Sequence, residues 1–282
     1  MIQKIKQICQ AYGIRPQRSK GQNFLVSQEV LDQIIQVADL KSDDVILEVG
    51  PGFGILTEAL IEKVKKVISV ELDKKLFSFL QAKFSEVKNL ELVNEDILKL
   101  QPTSYNLQAT TYKIVANIPY NITSKFLRKF LSQDHKPFEM VLLVQKEVAN
   151  RVCAPTGKMS LLSVSVQLYG QPEIIEVVDK KNFWPEPEVD SAILKISDIK
   201  NTKEITEWLV DITEKQFWQV VKIGFSARRK KLSNNLSAGL RISAPEVKNT
   251  FEKIGLDHQI RAQNLEINDW VKLAKTLKIY LN

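Results

Sequence analysis

The chain has 282 residues, 44% of them hydrophobic, which suffices for one large core and a smaller one and excludes an intrinsically disordered protein. No stretch approaches the roughly 18 uninterrupted apolar residues of a membrane helix, and the N-terminus has no apolar block before a cleavage site, so we expect a cytoplasmic protein. The net charge of +7 permits a polyanionic partner, whereas the isolated cysteines and histidines predict neither a disulfide nor a metal site.

Short apolar runs alternate with amphipathic helical segments from about residue 27 to 198. Five runs predict strands buried on both faces of a parallel sheet: VILEV (45–49), VISVE (67–71), LELV (90–93), KIVA (113–116) and MVLLVQ (140–145). EIIEVV (173–178) and SAILKIS (191–197) predict two further strands that close the sheet. After residue 202 only helical patterns follow. We therefore expect an α/β domain at 1–202 and a small all-helical domain at 203–282.

A glycine-rich segment, EVGPGFG, follows the first predicted strand. Gly50, Gly52 and Gly54 would let the backbone turn tightly and approach a ligand at a helix N-terminus. A dinucleotide fingerprint would place its third glycine one position later, where the chain has Ile55. The difference favours S-adenosylmethionine over NAD as the ligand, and a purely structural turn is the alternative.

Acidic residues follow the next two strands, at the sheet edge where ligands of such folds bind. Glu71 stands about 20 residues beyond the glycines, where a carboxylate can accept hydrogen bonds from ribose hydroxyls. Asp73 is better placed than Glu71 to cap the following helix. Asp96 could accept from the amine of an adenine while Ile97 lies against the ring, although a turn residue is the alternative for Asp96. Leu72 is a further candidate cofactor contact.

The segment NIPYNITS follows the fourth strand and fits the chemistry of an adenine amine. This amine is a poor nucleophile because its lone pair is delocalised into the ring, but its two hydrogens are donors. The Asn117 side-chain oxygen and the Ile118 carbonyl, fixed before Pro119, could accept both and aim the lone pair at a methyl donor. Tyr120 offers a face on which an extruded base can stack. An ordinary strand-to-helix turn, capped by a Thr or Ser side chain, is the alternative.

Eight segments together resemble the rRNA adenine N6-dimethyltransferases, specifically the bacterial small-subunit enzymes. They are GQNFLVSQEVLDQI, ILEVGPGFGILTEAL, VELD, NEDIL, NIPYNITS, QKEVANRVCAPTG, FWPEPEVDSAI and GFSARRKKLSNNL. The resemblance implies a Rossmann-like S-adenosylmethionine-dependent methyltransferase sheet with a small all-helical C-terminal domain. The family's cofactor positions match Asn23, Leu25, Gly50, Glu71, Asp96 and Asn117. Phe183 matches the aromatic residue that stacks on the target adenine opposite Tyr120.

The resemblance also implies the substrate: two adjacent adenosines in a hairpin near the 3′ end of small-subunit rRNA, in an immature 30S subunit. It implies direct methyl transfer without a metal, and we expect a monomer that needs no membrane. Ile118 departs from the family, because small-subunit enzymes usually have Leu there and the large-subunit enzymes of antibiotic resistance often have Ile. A large-subunit enzyme conferring macrolide resistance is therefore one alternative. A mainly non-catalytic assembly factor is another, and small-molecule and DNA adenine methyltransferases share parts of the pattern.

Two segments carry cations and no acid. The first 20 residues hold Lys4, Lys6, Arg15, Arg18 and Lys20. The segment KIGFSARRKK (222–231) includes Arg228, Arg229, Lys230 and Lys231. Each segment alone could be a solvated face, but together with the motifs above they favour contacts to RNA phosphates, mainly from the C-terminal domain.

Overall fold

The structure is a computed structural model that describes residues 1–17, 21–107 and 111–281. Arg18 and Lys20 of the N-terminal basic segment lie outside the described residues. The chain divides into two compact units. One comprises residues 1–150 and 170–199, and the other comprises residues 151–169 and 200–282. Residues 151–169, which we expected within the first domain, thus group with the C-terminal helices.

The first unit is built on a seven-stranded sheet with the strand order β4-β3-β2-β5-β6-β9-β7. Its strands are β2 (Val45–Val49), β3 (Lys66–Val70), β4 (Leu90–Val93), β5 (Lys113–Asn117), β6 (Glu139–Gln145), β7 (Gln171–Val178) and β9 (Ser191–Ser197). Strands β2 to β6 pair in parallel, and β9 pairs antiparallel with both β6 and β7. The central strands are predominantly apolar because helices cover both faces of a parallel sheet. The predicted α/β sheet and its closing pair are confirmed.

The helices of this unit are α1 (Ile2–Tyr12), α2 (Gln28–Val37), α3 (Ile55–Ile61), α4 (Lys74–Lys83), α5 (Thr123–Ser132) and α6 (Lys146–Val152), of which the last two residues are assigned to the second unit. Asp73 caps α4, since its carboxylate accepts from the backbone N–H groups of Lys75 (3.0 Å) and Leu76 (3.5 Å). This cap leaves Glu71 available for another role.

A second, two-stranded sheet was not predicted. Strand β1 (Phe24–Leu25) pairs antiparallel with β8 (Phe183–Trp184), with Phe24 opposite Trp184 and Leu25 opposite Phe183. Each strand has two residues, too few for a periodic pattern, and the partners are distant in sequence. The pairing ties the QNFL and FWPEP segments together.

The second unit is helical: α7 (Leu161–Gln167), α8 (Thr202–Trp208), α9 (Glu214–Gly224), α10 (Leu232–Leu240), α11 (Ala244–Ile254) and α12 (Ile267–Thr276). Capping boxes led by Asn201, Thr213 and Ser243 begin α8, α9 and α11, which explains the sharp helix starts. Its core holds fully buried Phe217, Phe251 and Trp270.

Candidate active site

The carboxyl ends of β2, β3 and β5, with the loop after β4, enclose a cleft in the first unit. Its empty volume is about 870 Å³, counting the part open to solvent. Ten of the candidate site residues predicted from the sequence line it: Asn23, Gly50, Gly52, Glu71, Leu72, Asp96, Ile97, Asn117, Ile118 and Pro119. Because the strands are parallel and adjacent, segments far apart in the chain converge at one edge of the sheet.

Two glycines shape the floor of the cleft. Gly50 and Gly52 have φ values of 65° and 58°, in the left-handed region that residues with a side chain rarely adopt. A Cβ atom at Gly52 would lie 2.7 Å from the Phe24 ring, and one at Gly50 would lie 3.5 Å from Cδ of Pro119. Glycine at these positions therefore brings the β2 loop against both the QNFL segment and the NIPY segment.

Glu71 follows β3 directly and is only 6% exposed. Its Oε1 accepts from the backbone N–H of Asp73 at 2.8 Å, and its Oε2 accepts from that of Gly52 at 3.3 Å. Burial raises the pKa of the Glu71 carboxyl to about 7, against the lowering effect of these backbone donors. Each oxygen keeps a second lone pair, so the carboxylate can accept further hydrogen bonds from a ligand.

The loop after β4 presents an acid and an apolar surface to the cleft. Oδ1 of Asp96 accepts from the backbone N–H of Leu98 at 2.9 Å. Asp96 is therefore a turn residue, which was the alternative to a cofactor contact. Its second carboxylate oxygen can still accept from a ligand. Ile97 is 5% exposed, whereas Leu72, which also lines the cleft, is 63% exposed.

Asn117 is the last residue of β5 and its amide has a fixed orientation. Its Nδ2 donates to the carbonyl of Asn23 at 3.1 Å, which leaves Oδ1 as an acceptor. The backbone N–H of Ile118 donates to the Leu143 carbonyl at 3.1 Å, which anchors the start of the NIPY segment to β6. Ile122 is the N-cap residue of α5, and no side chain caps this helix. An ordinary strand-to-helix turn with a Thr or Ser cap therefore does not explain this segment.

Tyr120 and Phe183, the two predicted stacking residues, do not line the cleft. The Tyr120 side chain is half-buried and its hydroxyl lies 2.6 Å from Oγ of Ser191. Burial raises the pKa of this phenol. The Phe183 ring is 3% exposed within the hydrophobic core, because its pairing with Leu25 turns both side chains inward. Stacking by Phe183 stays a prediction, and it would require the ring to become exposed.

Leu25 also lies outside this cleft, with 6% of its surface exposed. It lines a smaller neighbouring cavity that Asn117 and Glu48 also border. Glu48 is a buried carboxyl that the sequence analysis did not single out. Its Oε2 accepts from Thr57 Oγ1 at 2.7 Å and from Ser69 Oγ, and burial raises its pKa to about 7. An acid inside the apolar strand VILEV was the available signal.

The predicted RNA contacts lie in the second unit. Arg228, Arg229, Lys230 and Lys231 are exposed in the turn that joins α9 to α10, rather than on a helix. Within the described ranges, no group of three or more His, Cys, Asp and Glu side chains could hold a metal ion. Of the described helices, none is long and apolar enough to cross a membrane.

The cleft residues fit S-adenosylmethionine. Gly50 and Gly52 let the β2 loop lie close to Pro119 and Phe24. Glu71 can accept from ribose hydroxyls, and Asp96 can accept from an adenine amine. Leu72 and Ile97 supply apolar surface for a ring.

Comparison with known proteins gives relatives along nearly the whole chain. A relative named ribosomal RNA small subunit methyltransferase A, from Dehalococcoides mccartyi (strain BAV1), is 43% identical over 274 residues, covering 97% of this chain and 92% of the relative. The protein of that name from Fusobacterium nucleatum is 39% identical over 257 residues, covering 90% and 95%.

Two solved structures share the fold. A dimethyladenosine transferase from Plasmodium falciparum matches with a TM-score of 0.72 and 28% identity, covering 89% of this chain and 95% of that chain. The 23S rRNA methyltransferase ErmE matches with a TM-score of 0.70 and 26% identity, covering 90% and 99%. The sequence profile described as "Ribosomal RNA adenine dimethylase" matches residues 14–278. The chain therefore belongs to the ribosomal RNA adenine dimethylase family.

Proposed function

We propose that this protein transfers methyl groups from S-adenosylmethionine to the N6 amines of two adjacent adenosines near the 3′ end of small-subunit rRNA. The product is N6,N6-dimethyladenosine, and the modification serves small-subunit biogenesis. The observation that carries the proposal is the Asn117 amide, whose nitrogen is held by Asn23 so that its oxygen is left to accept, beside a cleft suited to an adenosyl group.

The residues of the NIPY segment would position the target amine. Asn117 Oδ1 and the Ile118 carbonyl accept its two hydrogens, and Pro119 holds that carbonyl because its ring restricts the preceding residue. When bound, S-adenosylmethionine supplies an electrophilic methyl group. The rate then comes from positioning and from exclusion of water rather than from a strong base, because the amine proton can leave after transfer. Tyr120 and Phe183 are the proposed stacking partners of the extruded base.

The small-subunit branch is favoured by the relatives, which are named for that subunit and reach 44% identity. The structural likeness alone does not separate the branches, because the TM-scores to the Plasmodium enzyme and to ErmE are 0.72 and 0.70. Ile118 contributes a backbone carbonyl that Leu would offer equally. A large-subunit enzyme conferring macrolide resistance is the second candidate, and ErmE is the observation that favours it.

The proposed partner is rRNA within an immature 30S subunit, to which this protein binds as a monomer in the cytoplasm. Support comes from the exposed run Arg228, Arg229, Lys230 and Lys231, which contains no acid that would neutralise it. Phosphate contacts fix the register of a nucleic acid, so this run would hold the RNA while the cleft receives one flipped base.

Labelled S-adenosylmethionine tests the proposal with four acceptors: unmethylated small subunits, large subunits, free small-subunit rRNA and a DNA hairpin. We expect label in small-subunit rRNA and none in the large subunit or in DNA. Label confined to the large subunit would select the second candidate. Binding to precursor subunits without any label would instead indicate an assembly factor.

A further inference from the structure

Lys129 of α5 holds the loop that carries Asp96 and Ile97. Its ammonium donates to the backbone carbonyls of Ile97 (3.3 Å), Leu98 (2.9 Å) and Leu100 (2.6 Å). A lysine ammonium has three N–H donors, so these three bonds use its full capacity. The sequence alone does not single out Lys129, because a lysine on an amphipathic helix ordinarily faces solvent.

The loop needs such a cation for its shape. The Asp96 carbonyl accepts from the N–H groups of Lys99 (2.7 Å) and Leu100 (3.1 Å), which winds the chain into a tight turn. The carbonyls of residues 97, 98 and 100 then converge on one point, where their partial negative charges repel one another unless a donor lies between them. Burial lowers the pKa of Lys129, while the charges of Asp96 and Glu95 oppose that effect and favour the ammonium.

The position of Lys129 connects two functional segments. The loop supplies Asp96 and Ile97 to the cleft, whereas α5 begins at Thr123, three residues after Tyr120 of the NIPY segment. A shift of the turn would move the Asp96 carboxylate, because its Oδ1 is bonded to Leu98 within that turn. We propose that Lys129 is a positioning residue that sets where Asp96 and Ile97 meet the adenine of the cofactor. This inference rests on the proposed function, since it requires an adenosyl group in the cleft.

A merely structural role would differ in its effect on selectivity. If Lys129 only stabilised the fold, its loss would lower the melting temperature and leave the preference for adenine unchanged. If it positions Asp96, its loss would weaken discrimination between an adenine and a base without the amine. Lys195 is a suitable control: it also links elements, donating to the Val37 carbonyl (3.3 Å) and pairing with Glu139 (2.9 Å), but beside the amino end of β6, away from the cleft.

The test is calorimetric titration of wild type, Lys129→Met, Lys129→Gln and Lys195→Met with S-adenosylhomocysteine and with S-inosylhomocysteine, together with thermal unfolding. In the inosyl ligand a carbonyl replaces the amine and would face the Asp96 carboxylate, so wild type should prefer the adenosyl ligand by at least about tenfold. We expect Lys129→Met to bind S-adenosylhomocysteine about tenfold more weakly, with most of the preference lost. Lys195→Met should keep the wild-type preference.

Lys129→Gln keeps two N–H donors without the charge and should show an intermediate preference. It also decides the matter if the Met variant does not fold. A wild-type preference in either folded Lys129 variant would overturn the inference, whatever its melting temperature. Failure of wild type to bind S-adenosylhomocysteine would contradict the proposed function instead, so the two failures are distinguishable.

Discussion

Nδ2 of Asn117 donates to the carbonyl of Asn23 at 3.1 Å, joining residues 94 positions apart in the chain. The bond connects the end of β5 with the QNFL segment just before β1. It determines which atom of the Asn117 amide is left for a substrate, since the nitrogen is occupied and the oxygen is not. The active-site orientation of this side chain therefore depends on a segment near the N-terminus.

Glu71 gives cofactor binding a dependence on pH. Because burial raises its pKa to about 7, the carboxyl is largely neutral at pH 6 and largely ionised at pH 8. Ribose hydroxyls donate to the ionised form, so affinity for S-adenosylhomocysteine should rise about tenfold between those values. Calorimetry at a series of pH values checks this. Glu71→Gln should bind more weakly and lose that rise, and an equal slope in this variant would show that another group titrates.

A substitution at Leu72 can affect cofactor binding without affecting the stability of the fold. Its side chain is 63% exposed, so Leu72→Ser removes little buried surface and should change the free energy of unfolding by less than about 0.5 kcal/mol. If Leu72 covers the adenine, the same variant should weaken S-adenosylhomocysteine binding by about 1–2 kcal/mol. Val210, 55% exposed in the second unit, gives a matched control as Val210→Ser. Equal affinity in Leu72→Ser and wild type would remove Leu72 from the cofactor site.

Phe183 lies in the hydrophobic core and has a predicted stacking role, and a substitution by Ala would disturb both. Phe183→Ala should cost about 3–5 kcal/mol of stability because the ring is 3% exposed. Phe183→Leu keeps most of the apolar volume but removes the aromatic face. If the ring stacks on the extruded base, the Leu variant should fold and lose about 1–3 kcal/mol in kcat/KM for RNA. Full activity of folded Phe183→Leu would leave Phe183 a core residue only.

The run Arg228 to Lys231 predicts a salt-dependent contact with RNA. Replacing Arg228 and Arg229 by Gln should lower affinity for every RNA tested and reduce the slope of log K against log salt by about 0.7–0.9 per lost contact. Lys203 and Lys248 are exposed lysines paired with Glu207 and Glu252, both at 3.8 Å, and their Gln variants serve as controls. A slope unchanged from wild type would show that the run is a solvated surface that makes no contact with RNA phosphates.

The parts of the fold and of the site that could be predicted are those that depend on local sequence patterns. Apolar runs located the strands to within a residue or two, and the order of strand ends brought Gly50, Glu71 and Asp96 to one cleft. The unpredicted parts are contacts between distant segments: Asn117 with Asn23, and Lys129 with the loop after β4. Neither leaves a periodic signal, because a single side chain meets a backbone carbonyl whose position only the fold determines.

The burial of Phe183 also could not be predicted from the sequence. Its motif indicates a residue for base stacking, yet the two-residue pairing of β1 with β8 buries the ring. A motif specifies residue types but not their exposure, which depends on tertiary pairing. Similarly, residues 151–169 read as part of the first domain, and only their three-dimensional contacts group them with the later helices.

The most direct test of the central claim is nucleoside mass mapping of small subunits that lack the modification, after incubation with the purified protein and S-adenosylmethionine. We predict N6,N6-dimethyladenosine at two neighbouring adenosines near the 3′ end, with four methyl groups transferred per particle. Asn117→Ala should fold, still bind the subunit, and transfer methyl groups at least about 100-fold more slowly because the amine loses its side-chain acceptor. Small subunits that stay unmodified by the wild-type protein would contradict the account, and so would full activity in Asn117→Ala.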